Sequence, residues 1–236
     1  MRVDKFLSVT GAATRSESSR AARKGRIFVN GVACTDPSRQ IDPEVDEVAF
    51  DGQPIRYRQY YYILLNKPEG YVSATEDLRE KTVLELLPEN LRTIGLFPCG
   101  RLDKNTVGLM LLTNNGDLGH KLLSPRYHVT KKYRYTAKFP LSKENILQFE
   151  TGVPILDGYI TLPAKLYPDE DLASGEIEIT EGKYHQIKLM FDAVGNKITS
   201  LERITFGPLS KDPTLARGQW RELTDAEVAA LENHCK

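Results

Sequence analysis

The chain has 236 residues with a formal net charge of zero, 40% hydrophobic and 27% charged side chains, which fits one large soluble domain or a small module joined to a medium one. No apolar run approaches the ~20 residues that span a bilayer, and Met-Arg-Val-Asp-Lys at the N-terminus lacks the apolar stretch of a secretory leader. Cys34, Cys99 and Cys235 stand far apart without ligand spacing and the histidines are scattered, so reduced thiols in a cytoplasmic protein are expected, with no disulfide and no metal.

The zero net charge hides an uneven distribution. Arg2, Lys5, Arg15, Arg20, Arg23, Lys24 and Arg26 face only Asp4 and Glu17 in residues 1–26, a local charge of +5 (seven minus two). A basic head on a neutral chain suggests a localised polyanion contact, with a solvated helix face as the alternative. In chain order, Val3, Phe6 and Leu7 fall at the i, i+3, i+4 spacing of a first short helix. Thr14-Arg15-Ser16-Glu17 is a capping box, opening a helix that runs to Lys24 and stops at Gly25. Ile27 to Ala33 reads as two strands around an Asn30-Gly31 turn, and Val45 to Phe50 as another strand before Asp51-Gly52.

This opening resembles the S4 RNA-binding domain, carried by "RVDKFLS", the basic helix "SRAARKGRIFVNG" and the hairpin after it. The resemblance implies that Arg2, Lys5, Arg15, Arg20, Arg23 and Lys24 lie near RNA phosphates, where they give affinity and orientation but little sequence information. Arg56 to Tyr60 reads as the linker, dividing the chain into an S4-like domain at 1–58 and a larger domain at 61–236.

In the larger domain, Tyr62 to Leu65 is a buried-strand run stopped by a turn through Asn66-Lys67-Pro68-Glu69-Gly70. Thr82 to Leu87 is a short helix ending at Pro88. Leu109 to Leu112 is an apolar strand followed by an Asn115-Gly116 turn, and Leu118, Leu122 and Leu123 mark a helix before Pro125. Tyr133, Tyr135, Ala137 and Phe139 alternate with polar residues, a strand with one buried face. Ser142 caps a helix carrying Ile146, Leu147 and Phe149, and Ile177 and Ile179 mark another strand. Ile187, Met190, Phe191 and Val194 form the apolar stripe of a helix that ends at Gly195, and Thr224 to Glu227 caps a last one. Strands and helices without a regular βαβ rhythm predict an α+β fold with a mixed, mainly antiparallel sheet. No P-loop or dinucleotide fingerprint occurs, so no cofactor is expected.

Gly100-Arg101-Leu102-Asp103 displays a guanidinium and a carboxylate on one side of an extended segment, with Leu102 turned to the core. Alone, an Arg-x-Asp pair is most simply structural. Joined in order by "LNKPEGYV", "GRLDKNTVGLMLLTNNGDLGHKLLSP", "KKY" and "EGKYHQIKLMFDAVGN", it closely resembles the pseudouridine synthases, in the branch that modifies small-subunit ribosomal RNA and carries an S4 domain.

The resemblance implies that Asp103 is the nucleophile, that Arg101 contacts RNA at the vacated base position, that Tyr133 stacks on the target uracil and that Lys188 pairs with Asp103. Leu189 stands where relatives of this branch often carry arginine. It further implies a monomer acting on 16S rRNA at uridine 516, with a 23S rRNA target or a non-catalytic assembly factor as rivals. Isomerising uridine needs no redox step or electron sink, which agrees with a cofactor-free site. A carboxylate nucleophile must be ionised, and neighbouring cations favour that form. A flipped-out uridine needs a stacking surface to replace its neighbours. Tyr133, by periodicity alone, is a core tyrosine. His185 reads as a structural hydrogen-bonding residue, Cys99 as a buried filler, and Lys67 with Pro68 as loop scaffold.

Overall fold

The structure, a computed structural model, describes residues 1–235. The chain divides into two compact units, Met1–Tyr61 with Leu84–Phe97, and Tyr62–Val83 with Pro98–Lys236.

The first unit begins with α1 (Val3–Val9) and α2 (Arg15–Arg23). Thr14 accepts from the Glu17 amide while Glu17 reaches back to the Thr14 amide, so α2 starts where its capping box requires. Strands β1 (Ile27–Val29) and β2 (Val32–Ala33) form a hairpin, and both turn residues, Asn30 and Gly31, take the positive φ that matches strand twist. Strands β3 (Val48–Phe50) and β4 (Gln53–Ile55) complete a sheet in the order β2-β1-β3-β4. Val45 lies outside β3 and is exposed, so the third strand is shorter than its apolar run suggested. Val3, Phe6 and Leu7 pack with Ala21, Ala22, Ile27, Val29 and Val48 in a small core. Val29 and Val32 pair across the hairpin. This unit also holds the short α3 (Glu89–Arg92).

The second unit is built on β5 (Tyr62–Lys67), β6 (Phe97–Pro98), β7 (Val107–Thr113), β8 (Lys131–Ala137), β9 (Lys165–Pro168), β10 (Ser174–Ile179), β11 (Ile198–Phe206), β12 (Leu209–Ser210) and β13 (Trp220–Glu222). Its main sheet runs β13-β5-β7-β11-β8-β10-β9. Only β7 and β11 pair in parallel along this path, so the α+β class with a mixed, mainly antiparallel sheet holds. Helices α4 (Gly116–Leu123), α5 (Lys143–Thr151), α6 (Gln186–Ala193) and α7 (Asp225–His234) complete it.

Three elements depart from the expected pattern. β5 continues through Asn66 and Lys67, both buried, where a turn was expected. Asn115 does not make a turn but caps α4, accepting from the Leu118 amide at 3.1 Å. β8 ends at Ala137, leaving Phe139 half exposed under Lys138, although it continues the alternation.

Two features of the sheet position the site. Gly108 sits at φ +103° opposite Arg203, where an added Cβ would lie 2.3 Å from the Arg203 carbonyl oxygen, so only glycine lets β7 and β11 meet there. On β8, Tyr133 pairs with Arg203 of β11 on one side and Ile177 of β10 on the other. Helix α6 is anchored by Phe191, whose ring lies 5.0 Å from both Tyr135 and Phe149. Fully burying such a ring stabilises by about 1.5–3 kcal/mol, which holds the C-terminal half of α6 against Tyr135 of β8 and Phe149 of α5.

Candidate active site

Between β5 and β7 the chain passes through Gly100-Arg101-Leu102-Asp103-Lys104-Asn105. Gly100 takes φ +83°, and a Cβ there would press to 3.1 Å from Leu123 Cδ2. Leu102 turns inward and is buried, while Arg101 is exposed and Asp103 lies between these extremes. The Ser73 hydroxyl fixes the backbone of Leu102 from both sides, donating to its carbonyl at 2.7 Å and accepting from its amide at 2.9 Å.

Lys67, read from sequence as loop scaffold, is a fully buried lysine at the end of β5. Its ammonium donates to the carbonyl oxygens of Asp103 at 3.0 Å, Lys104 at 3.3 Å, Thr106 at 2.8 Å and Pro68 at 3.1 Å. Burial pushes its pKa down to about 8, opposed by the nearby Asp103 carboxylate. The loop is thus clamped through its own backbone, which frees the Asp103 side chain for other contacts.

Those contacts come from the start of α6. Lys188 donates to Asp103 Oδ2 and, at 2.6 Å, to Asn105 Oδ1. His185 Nε2 lies 3.3 Å from the other carboxylate oxygen, Oδ1. His185 occupies the N-cap position of α6 in a left-handed conformation (φ 50°) without a capping side-chain bond, and its ring stacks on Tyr184 at 3.9 Å. A non-glycine residue at positive φ beside a carboxylate is the kind of local strain found at functional sites.

Asp103 opens on a cleft of about 670 Å³ that Tyr133, Arg101 and Lys188 also line. The structure therefore brings together all four residues singled out from sequence in this domain. The lining includes six basic side chains (Arg101, Lys104, Lys131, Lys183, Lys188 and Arg203) and a single carboxylate, Asp103. Such a surface attracts an anionic ligand and directs it at one acid. Cys99 beside the loop is fully buried, and burial pushes its thiol up to about 12, so it offers no thiolate. Among the described residues, no group of three or more His, Cys, Asp and Glu side chains comes together to hold a metal ion.

In the first unit, Arg2, Lys5, Arg15, Arg20, Arg23 and Lys24 are all exposed on or beside α1 and α2. Arg2 is tied to Asp4 at 2.7 Å, which partly occupies it. The sequence reading gave no role to Asn105, Lys131 and Arg203, and read His185 as a structural hydrogen-bonding residue. His185 carried a usable signal, because it stands three residues before Lys188 at the start of a helix and so shares its face.

The chain is similar to known proteins over nearly its whole length. The sequence profile of the family described as RNA pseudouridylate synthase matches residues 61–193, and that of the S4 domain matches residues 1–46. An RNA pseudouridine synthase of Bacillus subtilis, itself uncharacterised, is 45% identical, covering 98% of both chains. Ribosomal small subunit pseudouridine synthase A is 40% identical in Yersinia pestis over 98% of both chains, and 37% identical in Escherichia coli K12 over 98% of this chain and all of that one. A solved pseudouridylate synthase structure superposes with a TM-score of 0.69 at 34% identity, covering 98% of this chain and 99% of that one. With its fold and nearly its whole length in common with these proteins, the chain belongs to the RNA pseudouridine synthase family, in the branch that carries an N-terminal S4 domain.

Proposed function

We propose that the protein converts one uridine of small-subunit ribosomal RNA, uridine 516 of 16S rRNA, to pseudouridine with Asp103 as nucleophile. The observation that carries this is the Asp103 carboxylate held between Lys188 and His185 in a cleft whose other charged side chains are basic. The small-subunit relatives that match end to end support the choice of RNA.

In this reading the N-glycosidic bond breaks, the uracil turns, and the ring rejoins the sugar through C5. Asp103 supplies the carboxylate, and its two oxygens face different partners, Lys188 at one and His185 at the other. Lys188 keeps the carboxylate aimed by binding Asn105 of the same loop as well. Tyr133, nearly buried at the cleft wall, takes the flipped uracil against its ring, and the exposed Arg101 takes the RNA strand at the position the base leaves.

Residues 1–58 hold the RNA through the exposed cations of α1 and α2, and residues 61–236 perform the reaction on a monomer in the cytoplasm. These cations contribute affinity through phosphates.

The test uses 16S and 23S transcripts, and assembling small subunits, labelled with tritium at uridine C5. Release from 16S RNA that maps to uridine 516 and falls at least 10³-fold in Asp103→Asn is the expected outcome, a loss of about 4 kcal/mol of transition-state stabilisation. Release from 23S RNA alone would overturn the substrate. Undiminished release by Asp103→Asn would overturn the nucleophile.

A further inference from the structure

The floor of the cleft holds a second charged group that the reading above does not use. Arg203, on β11, is only 2% exposed yet lines the cleft. Its Nε donates to the Leu109 carbonyl at 2.7 Å, and its guanidinium carbon lies 5.0 Å from the centre of the Phe206 ring. Nη2 is buried without a hydrogen-bond partner in the protein. An orphaned guanidinium nitrogen costs free energy unless something else accepts from it.

Lys131 stands on the same ring, with Nζ 5.9 Å from the Phe206 centre, and is 8% exposed. Burial and the neighbouring Arg203 push its pKa down to about 8, opposed by Glu181. Glu181 is already engaged, accepting from Tyr159 Oη, the Leu162 amide and Gln186 Nε2, each at 2.8 Å. The fold also bends to keep Arg203 where it is, since Gly108 gives up its side chain to let the Arg203 backbone approach. Two cations are therefore buried at the floor of a cleft that lacks a carboxylate other than Asp103.

We infer that Arg203, supported by Lys131, is a further catalytic residue whose guanidinium, at the cleft wall, donates to a carbonyl oxygen of the target uracil and stabilises the base while it is detached. The inference rests on the reading of the Asp103 cleft as the reaction centre. When the C1′–N1 bond breaks, its electron pair stays on the base, and the negative charge spreads over N1 and the two carbonyl oxygens. A donor already in place at that oxygen strengthens as the charge develops, and a buried donor needs no reorganisation. The Asp103 carboxylate bonds to C1′ as N1 leaves; the pair on C5 then forms the new bond to C1′ while the C1′–carboxylate bond breaks and returns Asp103 ionised, the C5 proton leaves to solvent, and N1 takes up a proton. The atoms balance without a co-reactant.

A phosphate is the less suitable occupant. A phosphodiester reaching a residue this deep would bring its charge and its neighbouring nucleotides out of water, at high desolvation cost. A detached uracil is a single planar ring with acceptors at its edge. Arg203 also pairs in register with Tyr133, so the donor and the stacking ring lie on adjacent strands.

The experiment compares wild type with Arg203→Lys in single-turnover tritium release, using RNA whose target is uridine, 2-thiouridine or 4-thiouridine. Sulfur is a poor acceptor, so removing the bonded oxygen mimics removing its donor. Arg203→Lys is expected to slow the chemical step at least tenfold with the RNA Kd unchanged within threefold. One thio substitution should slow wild type by a similar factor and add nothing further in Arg203→Lys. An unchanged rate in Arg203→Lys, or thio effects that simply multiply with the variant, would overturn the inference. So would a rate loss reproduced by a neutral methylphosphonate beside the target instead of by sulfur. If Arg203→Lys fails to fold by circular dichroism, Lys131→Gln is read in the same way, and indifference of the wild type to both thio substitutions overturns the inference by itself. An Asp103→Asn control separates the two readings. Activity retained there removes the cleft as reaction centre and this inference with it, whereas activity lost there but kept in Arg203→Lys removes only this inference.

Discussion

The helices of the first unit and the cleft of the second are both cationic, and they use charge in opposite ways. On α1 and α2 the cations are exposed, on a scaffold with a small apolar core around Phe6 and Leu7. In the cleft, Lys67 and Arg203 are buried with almost no exposure and Lys188 is three-quarters covered, each held by specific oxygens or rings. An exposed charge contributes through the screened field it adds to its neighbours, so its position is uncritical. A buried charge acts through direction, because its desolvation must be matched by partners in fixed places. The first pattern suits a phosphate chain and the second a single reacting group.

The sharpest way to break this contrast is at Lys188. Lys188→Met keeps the length of the side chain but leaves Asp103 with His185 as its remaining side-chain neighbour. Removing one member of a partly buried pair costs on the order of 3 kcal/mol, so the single-turnover rate should fall by roughly 10²-fold while the RNA Kd stays within threefold. A variant that lost affinity and kept its rate would mean that Lys188 is a phosphate contact like those proposed for α2, and the contrast would fail.

The complementary change is on the other unit. Replacing Arg20, Arg23 and Lys24 together by glutamine removes three exposed cations of α2 and its C-cap. RNA affinity should fall by about ten- to a hundredfold at physiological salt, and the slope of log K against log salt should become shallower by about 2, at roughly 0.7 per charge for unpaired RNA. The rate at saturating RNA should not change. A lowered saturated rate would show that these charges take part in placing the target and not only in holding the strand.

What sequence made legible follows the same division. The capping box of α2, the Asn30-Gly31 hairpin and the alternation of β8 up to Ala137 are local signals, each complete within a few residues, and each element stands where expected. The four cleft residues became legible through a resemblance that spans nearly the whole chain, since Arg-x-Asp and an inward Tyr133 mean little by themselves. Burial of charge was the part that could not be read. Lys67 and Asn66 follow an apolar run and precede Pro68, so they look like the start of a turn, yet three of the four carbonyls that satisfy Lys67 come from residues 36 to 39 positions away. Arg203 stands between Glu202 and Ile204 in a strand, and its backbone meets Gly108 across a parallel pairing that no local pattern announces. The grouping of Leu84–Phe97 with the first unit is likewise non-local. Asn115-Gly116 shows the opposite error, a strong turn dipeptide used as a helix start because the Leu118 amide needed a cap.

A last prediction concerns charge that does neither job. Arg221 on β13 holds Glu227 of α7 through two bonds of 2.8 Å and Asp212 through one of 2.7 Å. The Arg221 guanidinium, with help from the Thr224 cap, brings the Glu227 carboxyl down to about 2, and Thr214 with Arg221 brings Asp212 down to about 2. Both carboxylates are depressed, so their contribution is present above the ordinary carboxylate range near pH 4 and is lost as pH falls through about 2. Glu227→Gln keeps a side chain that can still cap α7 but removes the ionic part, a loss of about 1 kcal/mol for a pair this exposed. At about 2–4 °C per kcal/mol for a chain of this size, the melting temperature at pH 7 should drop by a few degrees. The gap to wild type should shrink as the pH is lowered toward 2, because protonation removes from wild type what the substitution removed already. Turnover should be unaffected, since β13 reaches the cleft only by pairing with β5, opposite Ile63 to Leu65 and short of Lys67. A gap that persisted at low pH would assign the loss to packing of α7, and a fall in turnover would extend the directed charge of the cleft across β5 to the edge of the sheet.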